Sequence, residues 1–147
     1  MTVLAETDTA VSVTYFVKID DASLGTFSTC EGLGCEVVLQ PWEEGGNNRF
    51  VWQLPTRIKY STVKLTRPLG PETAKIVSWL TGVAAGYKRA TATIQARTTA
   101  GKVVAEWHLD GVVPVRWTGP SLSGDQAKVL TETIEIAHHG FLSAGGK

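Results

Sequence analysis

The chain has 147 residues, of which 43% are hydrophobic, and this is enough for one domain around one core. Its 14 Lys plus Arg balance 14 Asp plus Glu, which argues against a dedicated nucleic-acid or anionic-membrane binder and leaves little global repulsion to oppose self-association. Two cysteines make no disulfide framework, the first twenty residues carry no basic-then-apolar leader, and no apolar run approaches the roughly 18 residues of a membrane span. Synthesis in the cytoplasm without a signal peptide, with reduced thiols and no stable membrane anchor, is the expectation.

Residues 1–10 are polar and aperiodic and read as a flexible N-terminal arm. From Val11 the chain alternates. Val11, Val13, Tyr15, Val17 and Ile19 share one face of a strand, and Phe16 interrupts the polar side. Residues 20–25 read as a turn. Residues 26–31 and 35–40 read as short strands that bend around Gly32 and Gly34. Pro41 to Asn48 reads PWEEGGNN, whose glycines and asparagines tolerate positive φ, so a loop tip is expected there. Extended segments follow at about 49–54 and 60–67, with Val63 and Leu65 on one face. Pro71, Glu72 and the spacing of Ile76, Val77, Leu80 and Val83 predict a helix at about 71–83, with Gly82 and Gly86 as stop signals.

Alternation then resumes. Ala90, Ala92, Ile94 and Ala96 face one way, and Arg89, Thr91, Thr93, Gln95 and Arg97 the other. A turn at 99–101 and the run from Val103 to Asp110 complete a hairpin. Residues 112–118 form another extended segment, with Pro114 suggesting an edge or irregular position. The last strand covers 128–138, with Leu130, Ile134 and Ile136 inward, and 143–147 is a flexible tail. Short strands separated by turns, with one helix, predict a mainly β chain: an antiparallel sandwich or barrel forming a single domain over 11–142.

Chemistry is sparse. Cys30 and Cys35 do not complete the four-ligand set of a zinc knuckle, and His138 and His139 are adjacent on an expected strand, so they point apart. No nucleophile elbow, Walker A loop or dinucleotide fingerprint is present. The carboxylates of Glu43 and Glu44 sit in a glycine-rich loop, where solvation is the ordinary role. No catalytic residue, metal site or cofactor is assigned, and the expectation is a non-enzyme. The five tryptophans suit core and interface packing.

Taken in order, FVKID (16–20), FSTCEGL (27–33) with Glu36, WEEGGNN (42–48), LPTRIKYSTVKL (54–65), the helix carrying Trp79, and IEIAHHGFL (134–142) resemble the phage tail-tube family, which also supplies the inner tubes of extracellular contractile injection systems. Two departures are TRPLG (66–70), where a basic pair and glycine are common, and His138-His139, where His-Glu is common. The resemblance implies a bacterial tail-tube-like domain, an antiparallel β-sandwich or half-barrel with one flanking helix, assembling into hexameric rings that stack into a hollow tube. It implies a projecting loop at about 40–59 (Trp42, Glu43, Glu44, Gly45, Gly46, Asn47 and Asn48 at its tip) that reaches the next ring. In such a tube the row Arg89, Thr91, Thr93, Gln95 and Arg97 would line a wet lumen, whereas in a monomer the same row is simply a solvated face. It implies as partners further copies of the chain, a surrounding sheath, baseplate or tube-initiator and spike proteins, a terminator or cap, and cargo in the lumen. The cargo would be a protein effector in an injection-system particle, or DNA if the tube belongs to a phage virion. A small-molecule-binding β-barrel is the competing reading from another class.

Overall fold

In the computed structural model the described residues are 12–20, 22–46, 49–86, 88–120 and 129–142. The expected arm at 1–10, Asn47, Asn48 and the tail at 143–147 lie outside them. The described residues form ten strands and one helix: β1 (Val13–Ile19), β2 (Ala22–Phe27), β3 (Thr29–Glu31), β4 (Cys35–Trp42), β5 (Trp52–Tyr60), β6 (Val63–Pro68), α1 (Thr73–Ala85), β7 (Ala90–Thr98), β8 (Val103–Thr118), β9 (Thr131–Ala137) and β10 (Gly140–Leu142).

The main sheet runs β2-β1-β7-β8-β9-β6-β3, with β10 also pairing β8. Every pairing in it is antiparallel. Its two end strands, β2 and β3, are consecutive in the chain, separated only by Ser28, whose N–H donates to Thr66 O on β6 at 2.8 Å. The alternating runs bury one face. Val17 and Ile19 from β1, Ile94 from β7, Leu109 from β8, Ile134 and Ile136 from β9, and Val63 and Leu65 from β6 make one core with Leu24 and Phe27. These β-branched and aliphatic side chains suit a pleated, half-buried surface. Helix α1 closes the core with Ile76, while Trp79 and Leu80 pack half-buried beside it.

Several boundaries differ from the sequence reading, each for a local reason. The turn after β1 is shorter than expected, and strand structure resumes at Ala22. Asp20 takes a positive φ of 51°, and its Oδ1 accepts from the backbone N–H and the hydroxyl of Thr91 at 3.0 and 3.1 Å. That local bonding lets an aspartate occupy a conformation glycine usually supplies. The helix is displaced two residues towards the C-terminus; Gly82 lies inside it, and Gly86 N–H caps it by donating to Gly82 O. The two segments expected at 103–110 and 112–118 are one long strand. Its first part pairs with β7 and its last part, from Val113, with β9. Pro114 therefore falls beyond the last β7 partner, where a missing N–H breaks no bond to that strand. The bend between the two halves is Gly111, at φ +60°; a Cβ there would stand 2.7 Å from His139 Nδ1. Leu130, expected inward, precedes β9 and is exposed.

Candidate assembly surfaces

The expected loop at 40–59 is a β-ribbon. Strands β4 and β5 pair with each other alone, in a two-stranded sheet separate from the main one. The register runs from Cys35 opposite Tyr60 to Trp42 opposite Trp52, with a bulge at Val38–Leu39 that admits Pro55. Thr56 Oγ1 donates to Val38 O at 2.8 Å beside that bulge. At the tip, Trp52 Nε1 donates to Glu44 Oε2 at 3.2 Å, and Phe50 meets the Trp52 ring edge-on at 5.0 Å. Gly46 turns the chain at φ +91°.

The surface of this ribbon is apolar and uncovered. Val37, Leu39 and Ile58 are about half exposed, and Trp42, Phe50, Trp52 and Leu54 stand in solvent as well. An isolated two-stranded ribbon is marginal in water, and monomers rarely expose contiguous apolar area of this kind. Among the described residues its root is anchored. The Tyr60 ring lies 5.3 Å from His138 and 5.6 Å from Phe141, and Gly140 packs against it. His138 is buried there, with Nδ1 accepting from Gly140 N–H at 3.2 Å. Burial holds the His138 imidazole below its ordinary pKa, outweighing the backbone hydrogen bonds that favour protonation. His138 and His139 both follow the end of β9, so strand alternation does not govern them.

The second surface is the polar side of β1, β7 and β8. The structure brings Thr91, Thr93, Gln95 and Arg97 onto one face of β7, opposite Ala92, Ile94 and Ala96 in the core. Lys18 stands across from Thr93, and Phe16 from Gln95. His108 and Glu106 extend the face on β8. The groups hold one another: Arg97 Nε donates to Gln95 Oε1 at 3.0 Å while its guanidinium lies 4.1 Å over the Phe16 ring. Thr93 Oγ1 and His108 Nδ1 are 3.3 Å apart, and His108 Nε2 is 3.2 Å from Glu106 Oε1. Phe16 is thereby accounted for: it is the stacking platform for Arg97. Arg89 stands apart from this row, just before β7, with Nη1 donating to Gly111 O at 2.6 Å.

Elsewhere the titratable groups do structural work. Glu132 lies in the core and accepts from Arg67 Nε at 2.8 Å, Thr73 Oγ1 at 3.0 Å and Trp117 Nε1 at 2.9 Å. Arg67 also donates to Leu24 O and lies over Phe27. Burial pushes the Cys30 thiol up to about 11, which leaves it un-ionised and unreactive at neutral pH. Among the described residues no group of His, Cys, Asp and Glu side chains is arranged to hold a metal ion, and no helix is long and apolar enough to cross a membrane.

The family model for the T4-like virus tail tube protein gp19 matches residues 11–142. The chain belongs to this tail-tube family. No curated protein sequence matches it. Solved structures share the tail-tube fold at low identity. A chain in the sheath–tube complex of the PVC extracellular contractile injection system, extended state, is 16% identical with a TM-score of 0.74, over 87% of this chain and 86% of that one. A chain in the anti-feeding prophage baseplate is 19% identical with a TM-score of 0.70, over 91% and 93%. Hcp1 from Salmonella typhimurium is 13% identical with a TM-score of 0.55, over 87% and 83%.

Sequence reasoning found the ribbon tip and the β7 face but missed three features: the ribbon's apolar flanks, the Tyr60–His138–Phe141 root and the Arg67–Glu132 pair. A signal existed for the last. Arg67 continues the inward positions of Val63 and Leu65, and Glu132 those of Ile134 and Ile136, and β6 pairs them directly. Opposite charges at facing core positions of two strands announce a buried ion pair.

Proposed function

We propose that the chain is an inner-tube protomer: copies close into hexameric rings, and the rings stack into the hollow tube of a contractile injection system. The observation that carries this is the β4–β5 ribbon, a projecting apolar element of a tail-tube family member that the described residues of its own chain leave bare. Burial of such surface is the main driving force for association, and a neighbouring ring supplies the cover. Trp42 to Asn48 at the tip form the inter-ring contact. The polar row of Thr91, Thr93, Gln95 and Arg97 lines the lumen, with Arg89 at its margin.

In this role the protein is a passive conduit, not an enzyme. A sheath surrounds the tube, a baseplate with its initiator and spike starts it, and a terminator or cap ends it. These components are proposed from fold relatives in a sheath–tube complex, a sheath/tube terminator, a baseplate and a tube-terminating cap. Those relatives favour an injection-system particle carrying protein cargo. The family's description favours, as the second reading, a phage virion whose tube conducts DNA. Light scattering on a concentration series tests the assembly. Growth through a species six times the mass of the chain to larger particles is expected, and a constant single-chain mass would count against the proposal.

A further inference from the structure

A groove of about 920 Å³ runs between α1 and the start of β2. Its apolar walls are Ile19, Leu24, Trp79 and Val83, and Lys75 and Lys88 stand at its rim. Gly82 and Gly86 line it, and a Cβ at either would meet nothing within 4 Å. Gly82 is inside the helix, where glycine costs about 1 kcal/mol relative to alanine. The rim charges are unequally engaged. Asp20 is turned to Thr91, and Lys75 is 2.9 Å from Glu72, whereas Lys88 is exposed and uncommitted among the described residues.

We propose that this groove receives the tip of the β4–β5 ribbon of a second copy of the chain. The inference rests on the tube reading and deepens it by naming the acceptor. Shape, polarity and charge agree. The ribbon tip offers Trp42, 57% exposed, followed by Glu43 and Glu44, while the groove offers apolar walls rimmed by Lys75 and Lys88. β4 has 8 residues, and at about 3.4 Å per residue it carries its tip roughly 25 Å from its root, far enough to cross an interface. Knob and socket are different surfaces of one chain, so the contact is head-to-tail, and such contacts propagate instead of stopping at a dimer. Trp42 enters between Trp79 and Val83, and Glu43 pairs with Lys88 at the rim.

The test mixes two populations lacking native thiols (Cys30→Ser and Cys35→Ser), one carrying Glu43→Cys and a size tag, the other Lys88→Cys. The mixture is assembled, imaged and oxidised. A disulfide-linked species joining one tagged and one untagged chain, absent when Gly82→Phe plugs the groove, is expected. Tubes without that species would overturn the groove assignment and leave the tube reading standing. If such tubes still bound an apolar dye, and Gly82→Phe removed that binding, the groove would belong to a small ligand. Absence of both tubes and the cross-link would overturn the two together.

Discussion

The side chains of Arg67 and Glu132 are 5% and 0% exposed, and their ion pair is worth most as a junction. It ties β6 to β9, and through Leu24, Thr73 and Trp117 to β2, α1 and β8. Glu132→Ala would strand a buried guanidinium and remove the acceptor of Trp117, at a cost of about 3–5 kcal/mol. Urea unfolding should show a lower midpoint with an unchanged slope. Replacing both charges with apolar residues of similar volume should cost far less, because neither charge is then left unpaired. His138 makes a different prediction. Its folded pKa lies below the ordinary imidazole value of 6.5, so the unfolded chain binds a proton first on acidification. The stability it contributes is complete above pH 6.5 and drains away as pH falls from there towards the lowered folded value. His138→Phe, which keeps a ring between Tyr60 and Phe141, should flatten the unfolding midpoint between pH 8 and 5. A midpoint with the same acid dependence as the parent would refute this.

At the scale of elements, the alternation of β1, β7 and β9 was readable because one face of each is buried, and a period of two then marks the residues. The ribbon was less readable. Val37, Leu39, Ile58 and Leu54 look like core residues by composition, yet they face solvent, so periodicity pointed to strands without saying that the described residues leave them uncovered. The tip was legible through Gly45-Gly46, since turn chemistry is local. His138 was misplaced because strand alternation stops at Ala137. Gly32, at φ +89°, sits where a Cβ would lie 2.1 Å from Thr62 O, so the bend into the ribbon was marked by its glycine. Gly32→Ala should destabilise the fold by more than roughly 1 kcal/mol, the reverse of the stabilisation expected where an alanine fits, and so lower the unfolding midpoint. Deleting residues 43–48 should leave the domain's circular dichroism and melting cooperativity intact and block ring stacking. Tubes of normal length from that deletion would remove the ribbon from the stacking contact.

For the whole molecule, a single core and an exposed ribbon divide the labour. The domain folds on Phe27, Leu65, Ile94 and Ile134, while the surface left bare is available to other copies. Zero formal charge offers little repulsion against bringing those copies together. The most direct measurement is negative-stain electron microscopy of the purified chain across a range of concentrations and salt. The account predicts rings with a central hole and, at higher concentration, hollow rods of uniform diameter built from them. Particles of single-chain size at every concentration would contradict it.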